Sequence, residues 1–544
     1  MQKLPAISLT VATATLAALL FARLGHPLLW QDEGETAMYA SRVLEFGYPK
    51  VHDGKNVVYE FGSNVAIGVK ESVDAYIGKT WGDFYFAVPG VWWARGIDDP
   101  YARTWRLRLP FALAGFAGLA LLLWGVLPYV PRSRRLGFAA AYAALCASSV
   151  SLLLHLRELR YYPLLVLVLG AMLALHARRV HGTPGRLDGP IQALLSIALF
   201  QVFYVGWFAT TALLSADALY SLDRRRARVR ALAPHAVGVL AALPAIGFFE
   251  TFGVARAFAS DLGMSPERYL ASLVQVAGHF LRHEQLLPAL CARFAVLAAS
   301  RRPSASTPPS AAHGLAPRLW LFALGYAALG CLNPLIYERY FVVLGPLLTL
   351  AFLLDGSRLL DLAPGLWPER SERQARRAVA AALLVLALCP IALRAPALRG
   401  HLAEIATPVR GPIDFAVEHL RARYPDPAAL LIATNYEAHP LMYYLGSRVI
   451  VGLALNNIAA ERALIPDVVI PRRAWRRPLP ELRRFLARGD YREERLPVLD
   501  THYNNNPALT PSPSAPDPHR FETASAAPGS PGQLRIYHRV RGPR

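Results

Sequence analysis

The chain has little charge, little acid and almost no cysteine. Only 18% of its 544 residues are charged, where water-soluble domains carry about 25%. Hydrophobic residues make up 54%. They come in blocks of about 17–24, long enough to cross a hydrocarbon core about 30 Å thick. That excludes an ordinary soluble domain and points to an integral membrane protein with several spans. The four cysteines, Cys146, Cys291, Cys331 and Cys389, lie far apart, in or beside apolar blocks. Their spacing fits neither a zinc site nor a disulfide framework, so they read as small core residues.

The familiar signatures of soluble enzymes are also missing. There is no P-loop, no dinucleotide-type glycine motif between strand and helix, no HExxH, no CxxC and no GxSxG. Acidic residues number 38 against 58 Lys and Arg, a net charge of +20 carried nearly all by Arg. The Arg residues cluster in connections between apolar blocks, which is the topology signal of membrane proteins. No nucleic-acid partner is expected.

What is present is a series of candidate spans at about 5–29, 107–130, 136–154, 161–177, 190–206, 208–222, 232–250, 284–300, 318–333, 340–355 and 377–395. Alternate connections are Arg-rich, among them "PRSRR" (131–135), "HARRVHGTPGR" (176–186) and "DRRRARVR" (223–230). The positive-inside rule places that set in the cytoplasm. The first span then runs outward and is expected to be retained rather than cleaved, for want of a small-residue cleavage site. The expected fold is an all-α polytopic membrane domain over residues 1–395, with about 11–13 transmembrane helices. A small extracytoplasmic α/β domain follows over 396–544.

Residues 30–106 form a long outer loop. Its "ETAMYASRVLEFG" (35–47) has helical spacing, and "WGDFYFAVPGVWWARGI" (81–97) is rich in aromatics that favour the headgroup layer. These aromatics either anchor the loop or form a lid beside a lipid-entry groove. In the tail, residues 413–421 read as an amphipathic helix, and "ALLIAT" and "RVIVGLAL" read as short buried strands. "LRIYHRV" (534–540) reads as an edge strand, and residues 511–533 form a Pro/Ser/Ala-rich loop.

Chemistry-bearing residues gather at the outer span ends. Asp32 and Glu33 follow the first span directly. Carboxylates at a membrane boundary are costly unless hydrated, paired or used. One of them suits a general base with the other orienting groups; a solvated helix start favoured by the dipole is the alternative. "HLRELRYYP" (155–163) supplies Arg157, Glu158, Arg160 and Tyr161, and "NPLIYERYFVVLGP" (333–346) supplies Glu338, Arg339 and Tyr340. Arg offers a planar fork for phosphate oxygens, although a self-satisfied ion cluster or a snorkelling Arg would look the same. "HFLRHEQLLP" (279–288) places His283 beside Glu284. That pair suits a divalent metal, but two adjacent side chains do not make a site, and the sequence requires no cofactor.

In combination these motifs resemble the membrane glycosyltransferases of the GT-C fold, which include protein O-mannosyltransferases and the aminoarabinose transferases that modify lipid A. The resemblance rests on "WQDEGETAMYA" after span one, "RLRLPFALAGFAGLALLL" at span two, "ELRYYPLLVLVL", "ERYFVVLGPLLTLA" and "LLIATNYEAHPLMYYLGSRVIVG", in that order over about residues 1–460. It implies sugar transfer from a polyprenyl-phosphate donor to an acceptor hydroxyl of a glycolipid, polysaccharide or protein. The location implied is the periplasmic side of a bacterial inner membrane. Asp32 would be the catalytic base, with Glu33 beside it. Arg157, Arg160 and Arg339 would hold the donor phosphate. Asp83, Glu158, Tyr161, His283, Glu338 and Tyr340 are substrate-binding candidates. The sequence departs from the family in lacking a Pro-Pro segment before the second span, where Asp83 stands in "TWGDFYFAVPGVWWARG". Asp83 suits either acceptor binding or the capping of a loop helix. A transporter or flippase of a lipid-linked glycan is the competing reading, as is a non-catalytic anchor for the tail domain. Transporters, however, place polar groups near the bilayer midplane, whereas these charges collect at one end of the spans.

Overall fold

The computed structural model describes residues 3–58, 68–253, 265–301, 311–333, 336–367, 369–451, 463–473, 479–501 and 519–540. It is a helical membrane domain carrying a small mixed sheet at one end. The helices are α1 (Lys3–Phe21), α2 (Gln31–Phe46), α3 (Gly82–Ala94), α4 (Pro100–Val126), α5 (Arg135–Ala147), α6 (Val150–Leu156), α7 (Tyr162–His181), α8 (Asp188–Val202), α9 (Tyr204–Ser221) and α10 (Arg225–Phe248). Then come α11 (Pro266–His283), α12 (Leu286–Ser300), α13 (Ala311–Gly330), α14 (Leu344–Leu366), α15 (Glu372–Leu393) and α16 (Ala395–Ala406).

Among the described residues, five helices are long and apolar enough to cross a membrane: α1, α4, α7, α10 and α15. Most of the other expected spans are helices too, but shorter or interrupted by charge. α8 and α12 have 15 residues each, and α14 carries Asp355, Arg358 and Asp361. The span expected at 136–154 is broken. α5 and α6 meet at 80°, where α5 ends at its cap Ser148 and Ser149 caps the next helix, its hydroxyl accepting from the Leu152 N–H at 3.2 Å.

α4 and α7 pack backbone to backbone. A Cβ on Gly118 would lie 2.6 Å from the Leu167 nitrogen, and one on Gly125 would lie 2.8 Å from Ala174 Cα. Small residues at such crossings let membrane helices approach closely. The arrangement fixes the first residues of both helices at the same end as Trp30.

The outer loop folds as expected into α2 and α3. On α3, Tyr85, Trp92 and Trp93 are exposed, and Trp93 packs edge-on against Trp105 of α4. This is the disposition of an aromatic girdle.

The tail contains α17 (Pro412–Arg423), β3 (Leu431–Thr434), α18 (Ala438–Leu445), β4 (Arg448–Val451), β5 (Val468–Ile470), α19 (Leu479–Arg488), β6 (Tyr491–Leu499) and β7 (Gln533–Arg539), numbered after the small hairpin β1 (Val69–Lys70) and β2 (Ala75–Tyr76). The sheet order is β4-β3-β5-β7-β6, with β3 parallel to β4 and β5, and β7 antiparallel to β5 and β6. The strand expected at the edge, β7, is interior. The polar β6, with its Arg and Glu residues, covers it and takes the edge, where charge guards an open strand. Residues 452–455 of the second expected strand and 511–518 of the loop lie outside the described residues.

The tail domain sits on α2. Gly34 has no room for a Cβ, which would lie 2.6 Å from Pro440. The Leu28 N–H donates to Asp414 Oδ1 at 3.2 Å and the Leu29 N–H to Tyr444 Oη at 3.1 Å. Asn56 bonds Val449 N–H and the Ser447 carbonyl. The segment just before Asp32 is therefore clamped between membrane helices and sheet domain.

Candidate active site

Trp30 is extended and α2 begins at once, so Asp32 and Glu33 occupy its first turn, where the helix dipole favours negative charge. Neighbours on a helix point about 100° apart, and the two carboxylates part company. Glu33 is fully buried. It receives Arg108 Nε at 2.8 Å and Nη2 at 2.5 Å, and the Leu159 N–H at 2.8 Å. Arg108 Nη1 donates to the carbonyls of Leu24 and Pro27, at 2.9 and 2.8 Å. Glu33 thus ties α2, α4 and the turn before α7 together and is enclosed among these partners, not beside Asp32.

Asp32 is a quarter exposed and loosely held. Its Oδ2 lies 3.4 Å from Arg339 Nη2 and 3.6 Å from Arg160 Nη2. Arg160 is itself oriented by the Asp32 carbonyl, which accepts from Nη1 at 2.9 Å, and by Glu35 at 3.6 Å. The Arg339 guanidinium stands 4.3 Å from the Tyr337 ring, 5.3 Å from Trp30 and 5.8 Å from Tyr162, an aromatic cradle suited to a cation. Lys79 bridges Asp83 at 2.9 Å and Glu35 at 3.9 Å. Asp83 is buried at the start of α3 with Oδ1 unpaired, and it makes no cap bond.

Tyr161 stacks on Phe203 at 4.8 Å, and Tyr340 closes the group at 5.6 Å from Phe203. The result is an aromatic wall beside the two arginines. Glu158 is fully buried, with His155 Nδ1 3.4 Å away and neither of its oxygens hydrogen-bonded. Burial, reinforced by the Glu33 charge, pushes its carboxyl well above the usual range. Glu338 is also buried, and desolvation raises its carboxyl.

Two expected residues lie elsewhere. Arg157 turns away to Glu404 at 3.3 Å and the Ala22 carbonyl at 2.5 Å. The tight turn between them was enough to separate it from Arg160. His283 groups with His279, ring centroids 5.2 Å apart, and its carbonyl accepts from Arg394. Its neighbour Glu284 instead accepts from Ser149 at 2.6 Å and faces Arg394 at 3.6 Å. The two side chains thus face different partners, and among the described residues they belong to no metal-type group of three.

Other residues escaped the sequence reading. Lys79 and Glu35 extend the charge cluster. The turn before α18 faces the site from the tail domain. There His439 Nδ1 meets Gln31 Nε2 at 2.9 Å, and burial holds this imidazole down to about 4, so it is neutral. Glu437, at φ 57°, is buried in an ion pair with Arg472, which also meets Asp500 at 2.7 Å. The motif "NYEAH" marked this turn, but nothing in it revealed which side chains point inward.

A cavity of about 310 Å³ lies between α4, α7, α9, α13 and α14, reaching His181, Asp217 and Arg318. It sits at the opposite helix ends from Asp32 and takes no part in this constellation.

No family model and no curated protein matches the chain. Solved structures do. ArnT from Cupriavidus metallidurans in the apo state superposes with a TM-score of 0.50 at 14% identity, covering 99% of this chain and 98% of that one. The same protein bound to undecaprenyl phosphate gives 0.51 at 14% identity, covering 99% of both. The archaeal oligosaccharyltransferase AglB from Archaeoglobus fulgidus, in complex with an inhibitory peptide and a dolichol-phosphate, gives 0.48 at 13% identity, covering 87% of this chain and 69% of that one. The chain shares the fold of ArnT over its whole length, the GT-C type that its motifs resemble.

Proposed function

We propose that the protein is a membrane glycosyltransferase that moves a sugar from a polyprenyl-phosphate donor to an acceptor hydroxyl on the extracytoplasmic face. The observation that carries this is the loose contact of Asp32 with Arg339 and Arg160. A partly exposed carboxylate stands at a membrane boundary, directly beside two buried guanidinium groups. ArnT, whose fold the chain shares, has been solved with undecaprenyl phosphate bound.

The acceptor oxygen attacks the anomeric carbon as its proton passes to an Asp32 carboxylate oxygen. The bond from that carbon to the phosphate oxygen breaks on the opposite side, inverting the centre. The electron pair leaves with polyprenyl phosphate. Arg339 and Arg160 stabilise the charge growing on that phosphate, the kind of fixed electrostatic help that dominates many enzymes. Asp32 fits a base because its hydrogen-bonding capacity is not saturated, in contrast to Glu33. Asp83, Glu338 and the Tyr161–Tyr340 wall are the surfaces offered to donor sugar or acceptor. The buried Glu158 supports the floor beneath them.

The test is transfer of radiolabelled sugar from a panel of polyprenyl-phosphate sugars, in membranes with and without the protein. Protein-dependent transfer to lipid, polysaccharide or protein is expected. Movement of intact donor across the bilayer without transfer would replace this reading with the transporter one.

A further inference from the structure

The tail domain holds a second cluster that the transfer reaction does not use. His419 lies on α17, Glu494 on β6 and His538 on β7. Their ligand-type atoms all fall within 4.8 Å of one another, the one such group of three among the described residues. His419 Nε2 faces His538 Nε2 at 3.0 Å. Glu494 Oε2 lies 3.7 Å from His538 Nε2, and its Oε1 lies 3.6 Å from His419 Nδ1.

One imidazole donating to the other accounts for the first contact. It does not account for the carboxylate, which stands beyond hydrogen-bond reach of both rings. Ligand atoms sharing one tetrahedral zinc, with bonds of about 2.0–2.2 Å, sit roughly 3.3–3.5 Å apart. The Nε2–Nε2 spacing of 3.0 Å and the Glu494 Oε2–His538 Nε2 spacing of 3.7 Å bracket that value, and one ligand atom from each of the three residues falls within 4.8 Å of the others. The far nitrogen of His538, Nδ1, is already engaged by Tyr424 Oη at 3.0 Å. Such an outer contact fixes ring orientation and leaves Nε2 for a metal. His538 is 3% exposed, His419 16% and Glu494 39%, so the group is rigid at its base and open to solvent on the carboxylate side. Arg423 competes for Glu494 at 3.2 Å, but it is 40% exposed and free to swing into water.

We propose that His419, Glu494 and His538 form a divalent-metal site, zinc by its two imidazoles and one carboxylate, with solvent as the fourth ligand. The ion would staple α17 to the β6–β7 edge. α17 also carries Asp414, which grips the Leu28 N–H four residues before Asp32. The staple therefore secures the helix that docks the tail domain onto the membrane core.

The experiment uses the full chain, without a histidine tag, purified in detergent, loaded with zinc and desalted. Metal content by mass spectrometry and the apparent melting temperature are read for the natural protein and for His419→Gln. The expected result is one retained zinc and a melting temperature raised by added zinc in the natural protein, with both lost in the variant. Glu494→Gln, on the exposed edge strand, gives the same reading if His419→Gln yields no folded protein. Cobalt loading adds a spectroscopic check, since three such ligands and water give the visible bands of tetrahedral cobalt. No retained metal, or equal retention by the variants, would overturn the site. Neither result depends on whether sugar transfer occurs.

Discussion

Asp32 and Glu33 are adjacent carboxylates, and exchanging each for its amide should break different properties. In Glu33→Gln the Arg108 guanidinium loses its counter-charge in a site with no access to water. Removing one partner of a buried ion pair costs about 3–5 kcal/mol. That is a large share of the roughly 5–15 kcal/mol that holds a typical domain together. Asp32→Asn weakens ion pairs that are already long, 3.4 and 3.6 Å, and that involve a side chain 25% exposed. Both arginines are buried, so the loss exceeds the roughly 0–1 kcal/mol of fully exposed pairs, but the length of both contacts, and the Glu35 carboxylate and backbone carbonyl that Arg160 keeps, hold it below the Glu33 case. Loss of a general base, by contrast, lowers rate by about 10²–10⁴-fold. The assay is paired: yield of monodisperse protein and melting temperature in detergent, then sugar transfer at equal protein. Glu33→Gln should melt about 6–10 °C lower, taking roughly 2 °C per kcal/mol, and lose activity in proportion to folded protein. Asp32→Asn should melt clearly less far below the natural protein than Glu33→Gln does, and transfer almost nothing. A stable Glu33→Gln variant, with Asp32→Asn unfolding instead, would refute the assignment of structural and chemical roles.

Further outcomes follow from the same geometry. Arg339→Gln removes a charged donor from its aromatic cradle, and hydrogen bonds to charged groups contribute about 1.5–3 kcal/mol. Polyprenyl phosphate binding, measured by isothermal titration in detergent, should weaken roughly 10- to 150-fold, and Arg339→Lys should recover only part of it. Glu158→Gln should leave transfer nearly unchanged and raise the melting temperature at neutral pH, because burial disfavours the charged form of the carboxyl it replaces. The sign of the linkage follows from the raised carboxyl: the natural protein holds this proton above the unfolded carboxyl range. Its contribution is complete at low pH and lost as pH rises through the folded-state value. Melting temperature should fall more steeply with pH above the unfolded carboxyl range for the natural protein than for Glu158→Gln. Gly34→Leu should push Pro440 off α2, so limited proteolysis would cut the tail domain faster while the membrane helices stay intact.

Much of this was legible in the chain before its structure. Apolar block length and Arg clustering give a polytopic helical domain, and the first turn of α2 is written in "WQDEGE". The order of motifs points to the GT-C fold. Strand β3 and helix α17 stand out by their periodicity. What sequence could not resolve was direction. Asp32 and Glu33 differ by one position, as do Arg339 and Glu338, and only packing decides which faces a cleft. Arg157 and Arg160 share a turn too tight to phase by a helical rule. The 80° break at Ser149 was hidden because an apolar run reads alike whether straight or bent. The position of β7 depended on β6, whose charges make a poor strand signal but a good edge. The inward residues of the tail domain depend on pairings across some 400 positions, such as Gln31 with His439, which no local pattern encodes.

The central claim is that Asp32 acts on a sugar whose lipid phosphate is held by Arg160 and Arg339. Its most direct test is the purified Asp32→Asn variant, assayed for both polyprenyl phosphate binding and single-turnover transfer from a polyprenyl-phosphate sugar. Binding within about threefold of the natural protein, with transfer reduced at least the roughly 100-fold expected for a lost base, is the predicted result. Transfer at the natural rate would contradict the account and remove Asp32 from the chemistry.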